Sequence, residues 1–242
     1  MTDYTVPPKG VFLPNFAWSH SRWNNFRKCP MMYNMSVHRS RFKGLPPYVQ
    51  SEAAARGDRI HQLSEGLIKG DIFGIPKELS KFEAEYKAVL ALEGRAEQDH
   101  SVDKNWNPCS PKDWDVIWMR SKMDIEAKLE EGHSLIADVK TGQPRDDHEF
   151  QCDLYATNYM NIYKTIEQVT VEMWYTDRGI TMQKVYDRID TDELTEYWED
   201  QANLMQTTKV FQPTPSKDSC MWCDFHQDKG GQCDVGWEVD NG

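Results

Sequence analysis

Apolar residues recur at helical spacing over the first third of the chain and again in two later segments. The clearest pattern lies in residues 51–69, where Ile60 and Leu67 share one helical face and Gly70 follows the last turn. A serine side chain can cap the first helix, and Pro30 is expected to interrupt it. The predicted helices are 19–28 or 21–28, 51–69, 76–95, 147–163 and 191–209.

The middle of the chain has strand-like patterns, separated by turn-rich residues such as 105–111 and 177–179. Helical segments precede and follow these strands, so the pattern predicts an α/β fold with a small mixed central sheet flanked by helices. From residue 211 onward Pro, Cys and Gly dominate, which indicates an irregular tail. The predicted strands are 96–103, 114–129, 134–140, 168–175 and 180–189.

The length of 242 residues is enough for one buried core with an appendage. Three parts are predicted: an N-terminal helical and basic segment (1–95), a core (96–209), and a cysteine-rich tail (210–242) that packs with Cys29. The mean hydropathy of -0.75 argues against a membrane protein, and no run approaches the roughly 18 apolar residues of a membrane span. Without a signal-peptide pattern at the start, the chain is expected in the reducing cytoplasm.

The net charge of -11 is unevenly distributed. Residues 1–51 carry +6 and the remainder carries -17, so a basic, aromatic-rich arm precedes an acidic body. Such an arm can follow a nucleic-acid backbone and stack on single-stranded bases. The alternative is a solvated basic face above core aromatics. The candidate nucleic-acid-binding residues are Arg22, Arg27, Lys28, Arg39, Arg41 and Lys43.

Asp138 and Lys140 lie two residues apart on an apolar, strand-like segment. Residues at this spacing project from the same face of a strand, so the carboxylate and the amine should lie together. Buried charges are costly unless they are paired or bind something. Asp124 lies in a second strand-like segment, and two acids and a lysine on adjacent strands make a plausible divalent-metal site for phosphodiester hydrolysis.

Three more polar residues have weaker patterns. His61 lies inside the helix predicted over 51–69, where a lone histidine is more often structural than a ligand. Gln151 and Tyr155 are four apart and share a helical face behind the strand that carries Lys140. Glu97 opens the first strand and is expected to be a surface charge.

Four cysteines suggest a second metal site. Cys220 and Cys223 form a C-x-x-C motif, Cys233 follows after nine intervening residues, and Cys29 lies 191 residues before Cys220. Four thiolates suit tetrahedral zinc or an iron–sulfur cluster, and disulfides are disfavoured in a reducing compartment. The alternative is that the tail binds no metal and Cys29 is a core residue.

The order of these motifs, from Cys29-Pro30 and Gly57-x-x-x-His61 to the C-terminal cysteines, resembles the RecB-like branch of the PD-(D/E)XK nucleases. Within that branch it is most similar to the iron–sulfur CRISPR-associated and AddB-type nucleases. The resemblance implies a restriction-endonuclease-like core. It implies a metal held by His61, Asp124, Asp138 and the Val139 carbonyl, a catalytic Lys140, supporting Gln151 and Tyr155, and a 4Fe–4S cluster on Cys29, Cys220, Cys223 and Cys233.

Two features depart from that family pattern. No Pro-Asp pair precedes Asp124, and the spacing before Cys233 is long, so zinc stays an alternative to iron–sulfur. The expected function is Mg²⁺- or Mn²⁺-dependent hydrolysis of DNA, by an exonuclease acting on single strands or ends. The alternatives are a non-catalytic DNA-binding subunit or scaffold with the same fold, and a zinc-stabilised adaptor.

Overall fold

The computed structural model describes residues 16–39, 50–231 and 233–235. The chain divides into two compact units, which we call the sheet unit (Gln50–Glu199) and the cysteine unit (Met1–Val49 with Asp200–Gly242). These limits differ from the predicted boundaries at 95/96 and 209/210. The physical reason is that the helices between residues 52 and 91 bury their apolar faces on the sheet and so belong with it.

A six-stranded mixed sheet forms the centre of the sheet unit, with the strand order β2-β1-β3-β4-β5-β6. Strands β4 and β5 pair in parallel and the other neighbours pair antiparallel. The predicted α/β class with a mixed sheet is confirmed. The strands are β1 (Arg95–Val102), β2 (Pro108–Cys109), β3 (Met119–Glu130), β4 (His133–Lys140), β5 (Gln168–Tyr175) and β6 (Ile180–Asp187).

Helices cover both faces of this sheet. On one face, α3 (Glu52–Lys69) and α4 (Glu83–Ala91) pack on alternate β4 side chains, including Ala137 and Val139. On the other face, α5 (Asp147–Ile162) packs on Ile136 and on β5. The two-residue period of β4 therefore directs Asp138 and Lys140 away from the α3 face.

The helix predicted over 76–95 is shorter than expected. The chain there forms a 3-10 segment (Lys77–Phe82) followed by α4, which ends at Ala91. Gly94 allows the tight return into β1, because a Cβ at this position would lie 2.4 Å from a Val89 methyl group. The predicted helix over 51–69 is confirmed, with Ser51 as N-cap and Gly70 in the left-handed conformation at its end.

The cysteine unit holds short elements around a small apolar core. Its described helices are α1 (His20–Lys28), capped by Ser19, α2 (Pro30–Val37) and α7 (Lys217–Cys220), with a 3-10 turn at Gln227–Lys229. Met31, Met35 and Phe225 pack with the cysteines. Helix α6 (Thr191–Thr207) carries the chain from the sheet unit into this unit. Within the described residues, no helix is long and apolar enough to cross a membrane.

Candidate active site

Two acidic residues meet where β3 and β4 run side by side. The antiparallel register pairs Ile125 with Ala137, and its continuation by one residue along each strand brings Asp124 across from Asp138. The backbone N–H of Val139 donates to Asp124 Oδ2 over 2.8 Å. The pairing of adjacent strands thus fixes Asp124 beside the segment that carries Asp138, as the sequence pattern predicts.

Asp138 is 2% exposed and its two oxygens have different partners. Lys140 Nζ lies 2.6 Å from Oδ2. Gln151 Nε2 donates to Oδ1 over 3.0 Å, and Tyr155 Oη donates to the same oxygen over 2.8 Å. The i, i+4 spacing on α5 therefore places two donors on one carboxylate oxygen and fixes its orientation.

His61 projects from α3 toward the acid on β3. Its Nδ1 lies 3.1 Å from Asp124 Oδ2. Burial acts to lower the pKa of His61, but the hydrogen bond and charge of Asp124 outweigh burial and raise it. The histidine is thus part of the acidic cluster and not an isolated core residue.

The two aspartates have opposite protonation tendencies. Burial raises the pKa of Asp124, and the nearby Asp138 carboxylate raises it further. Burial also acts to raise the pKa of Asp138, but the Lys140 charge outweighs it and lowers the pKa below its usual value. Asp138 is therefore held as an anion, while Asp124 lies in a site that a cation would stabilise.

Glu97 joins this cluster, although the sequence predicts a surface charge. Ligand atoms of His61, Glu97 and Asp124 all lie within 4.8 Å of one another. The neighbouring pairs Ala96–Ile125 and Gln98–Met123 place Glu97 across the ladder from Asp124. Its backbone φ of 56° is unusual for a residue other than glycine. No local sequence signal marks this residue, because its placement depends on strand register.

A cleft of about 310 Å³ opens beside these groups, lined in part by His61, Lys140, Arg145 and His148. Arg145 pairs with Asp147 at 3.2 Å. Burial and the charges of Lys140 and Arg145 lower the pKa of His148 to about 4, so this histidine is neutral at neutral pH. The cleft therefore presents two cationic side chains and a neutral imidazole, which suits an anionic ligand. No pattern in the sequence marks Arg145 or His148 as part of this cleft.

The cysteine unit brings the four motif cysteines to one cavity. Cys29, Cys220, Cys223 and Cys233 all line it, together with methionine and proline side chains. Burial raises the pKa of Cys223 to about 11, and the other three cysteines raise it as well. The remaining two cysteines, Cys109 and Cys152, lie in β2 and α5 of the sheet unit.

The predicted basic arm is described in part. Arg41 and Lys43 lie outside the described residues. Arg39 pairs with Asp224 at 3.1 Å, and Arg22 donates to the Ala17 carbonyl. The other two candidates, Arg27 and Lys28, lie in the last turn of α1.

Residues 119–227 match the model of the PD-(D/E)XK nuclease superfamily. Over this segment the chain is therefore similar to the PD-(D/E)XK nuclease superfamily. The segment contains the Asp124, Asp138 and Lys140 positions of the cleft, and it extends through Gln151 and Tyr155.

Two solved structures of low sequence identity are similar to this chain over most of its length. The structure named SSO0001 is 14% identical with a TM-score of 0.46, over 89% of this chain and 87% of that one. A candidate exonuclease from Eubacterium rectale is 11% identical with a TM-score of 0.42, over 80% of this chain and 83% of that one. No curated protein matches the chain.

Proposed function

We propose that this protein is a metal-dependent deoxyribonuclease of the RecB-like branch, acting as an exonuclease on single strands or DNA ends. The observation that carries the proposal is the buried Asp138–Lys140 pair beside Asp124 and His61, at a cleft with a second cation, Arg145. Nuclease function in general is supported by the superfamily match over residues 119–227.

The donor set fits a hard divalent cation. Carboxylate oxygens and one imidazole nitrogen are ligands that Mn²⁺ and Mg²⁺ accept, with imidazole better suited to Mn²⁺. Asp124 and His61 would hold the ion, and Glu97 is close enough to both to contribute. Asp138 and the Val139 carbonyl are the further ligands that the family resemblance implies. When bound, such an ion lowers the pKa of a coordinated water and offsets negative charge on the phosphate.

The remaining groups of the cleft position the reactants. Lys140 places a fixed cation where charge develops on the attacked phosphate, and it can orient the attacking water. Gln151 and Tyr155 hold Asp138 Oδ1 and so leave Oδ2 directed at Lys140. Arg145, fixed by Asp147, can bind a neighbouring backbone phosphate.

We further propose a metal centre in the cysteine unit, a 4Fe–4S cluster, with zinc as the alternative. The donor set fits, because four cysteines from distant parts of the chain line one cavity. Thiolates are the metal-binding form, so binding must displace the protons that burial stabilises on Cys223. A bound metal would link Cys29 to the C-terminal tail and stabilise both.

A nuclease assay tests the proposed activity. End-labelled linear single strands, linear duplex and circular single strands are incubated with Mg²⁺, Mn²⁺ or a chelator, and with an RNA strand for comparison. The expected result is metal-dependent loss of the linear DNA, with Asp138→Ala and Lys140→Ala inactive. Asp99→Ala and Lys128→Ala are matched controls, because both side chains form exposed ion pairs on the same sheet.

Each other outcome of this assay has a definite meaning. Cleavage of circular strands as fast as linear ones would contradict exonuclease action, and preferential cleavage of RNA would contradict DNA as substrate. DNA binding without cleavage in either metal would identify a non-catalytic subunit. The metal centre is tested separately by counting iron, sulfide and zinc per chain in wild type and in Cys29→Ser, which should lose metal.

A further inference from the structure

The cysteine cavity contains a buried imidazole that the four-cysteine motif does not include. His226 lines the cavity with Cys29, Cys220, Cys223 and Cys233. Its side chain is 13% exposed, and its Nε2 atom is fully buried with no hydrogen-bond partner among the described residues. A buried polar atom without a partner destabilises the folded state, so its retention calls for an explanation.

The backbone fixes His226 between two of the cysteines. Its backbone N–H donates to the Cys223 carbonyl over 3.2 Å, and the backbone N–H of Cys233 donates to the neighbouring Phe225 carbonyl over 2.8 Å. His226 and Cys233 also form a β-bridge. The ring position is therefore set by the same turns that place the cysteine sulfurs.

The other ring nitrogen decides what Nε2 can do. Nδ1 accepts a hydrogen bond from the backbone N–H of Asp228 over 3.2 Å. The carboxylate of the same residue lies farther away, with Oδ2 3.5 Å from Nδ1, and its side chain is 88% exposed to solvent. A neutral imidazole that accepts at Nδ1 carries its proton on Nε2. Nε2 is then a donor and not a metal ligand. The cavity around it is lined by cysteine, methionine and proline side chains with Ser219, Phe225 and Val235. The Ser219 hydroxyl is engaged with the Thr214 and Ser216 carbonyls, so a cysteine thiolate is the strongest acceptor among these groups.

We propose that His226 Nε2–H donates a hydrogen bond to a cysteine sulfur of the metal-loaded site, and that it acts as a positioning residue that retains the metal. This inference rests on the proposed four-cysteine centre. Hydrogen bonds to ligand sulfurs stabilise the anionic thiolates and, in an iron–sulfur cluster, tune the reduction potential. The unpartnered donor is thus explained as one whose acceptor forms when metal binds.

The test compares His226→Leu, which keeps much of the volume but no donor, with His226→Gln, which keeps an N–H donor. Gln227→Leu is the matched control, because it adds the same apolar side chain at an exposed neighbouring position. The measurements are iron, zinc and sulfide per chain, the half-time of metal release into a chelator, and, for iron, the midpoint potential.

We expect all three variants to keep the wild-type metal content. His226→Leu should release metal roughly tenfold faster, since a hydrogen bond to a charged group is lost, and an iron cluster should shift to a more negative potential. His226→Gln should lie nearer to wild type. Release from His226→Leu at the Gln227→Leu rate would overturn the proposal. Loss of metal from both His226 variants would indicate that the histidine is a metal ligand, and this result would also overturn the proposal.

Failure of the underlying centre is distinguishable from failure of the hydrogen bond. If wild-type protein contains neither iron nor zinc, both the proposed four-cysteine centre and this inference are refuted. The hydrogen bond alone would be refuted if wild type binds metal and Cys29→Ser loses it, while His226→Leu releases metal at the rate of the Gln227→Leu control. Neither conclusion depends on a measurement of nuclease activity.

Discussion

Replacing Lys140 by methionine tests the charge arrangement of the cleft before any catalysis is measured. The lysine amine lies 2.6 Å from a carboxylate oxygen of Asp138, and Asp138 is 2% exposed. Removing one partner of a buried ion pair costs about 3–5 kcal/mol, because the other charge stays buried. Since the Lys140 side chain is 21% exposed, water can reach the site, and we expect the lower value, about 3 kcal/mol.

The assay is thermal unfolding at pH 7.5 with a chelator present. About 3 kcal/mol corresponds to a decrease in Tm of roughly 6–12 °C for a chain of this size. The ion pair lowers the pKa of Asp138 in wild type, so wild type keeps this stabilisation until the pH falls through that lowered pKa. In Lys140→Met the burial of Asp138 is no longer offset by the lysine, so its carboxyl should take up a proton at a higher pH and the variant is relieved of the buried charge as the pH falls. The difference between wild type and Lys140→Met should therefore shrink toward pH 4.

Addition of Mn²⁺ sharpens the test. In wild type Lys140 already neutralises the Asp138 carboxylate. In Lys140→Met this lysine is absent, so a bound Mn²⁺ ion would be the main positive charge near Asp138. Mn²⁺ should therefore raise the Tm of the variant more than that of wild type, although the variant stays inactive. Lys128→Met, whose side chain is 62% exposed, is the control. A Lys140→Met protein as stable as this control in chelator would refute the reasoning.

Three further predictions concern other parts of the two sites. His61→Ala should reduce cleavage strongly and shift the preference from Mn²⁺ toward Mg²⁺, as measured by rates in each metal, since imidazole suits Mn²⁺ better. Gly231→Ala should lower the metal content and Tm, because its Cβ would lie 2.2 Å from the Phe225 carbonyl carbon. Burial and nearby cations lower the pKa of His148 to about 4, so protonation of this histidine opposes folding in acid. Between pH 6.5 and 4 the free energy of unfolding of wild type should fall by up to about 3 kcal/mol more than that of His148→Asn, as measured by urea unfolding.

The sheet and its acid–lysine pair could be predicted from local pattern. A two-residue period is sufficient to place Asp138 and Lys140 on one face, and the observed β4 alternation agrees with it. The position of Asp124 next to Asp138 could be predicted because strands that are consecutive in the sequence usually pair. The limits of the helix after Pro76 were not predictable in this way, because Gly94 and the return into β1 override helical periodicity.

Glu97 illustrates why the other residues of the site could not be predicted from the sequence. Its contribution depends on the β1–β3 register and on a positive φ, and neither follows from spacing along the chain. Arg145 and His148 lie in and just after a loop whose path is set by the end of β4 and the start of α5. Such groups become recognisable when the fold places them beside residues that have a clear pattern.

The two proposed metal sites differ in the chemistry of their donors, and this makes them separable by experiment. Oxygen and imidazole ligands in the sheet unit favour hard divalent ions, whereas thiolates in the cysteine unit favour zinc or iron–sulfur clusters. The sites lie in different compact units. Removing Mn²⁺ with a mild chelator should therefore abolish cleavage and leave the cysteine-bound metal in place. Cys29→Ser should do the reverse at low temperature, losing the bound metal while some cleavage persists. If both treatments removed both properties together, the assignment of separate catalytic and structural centres would be wrong.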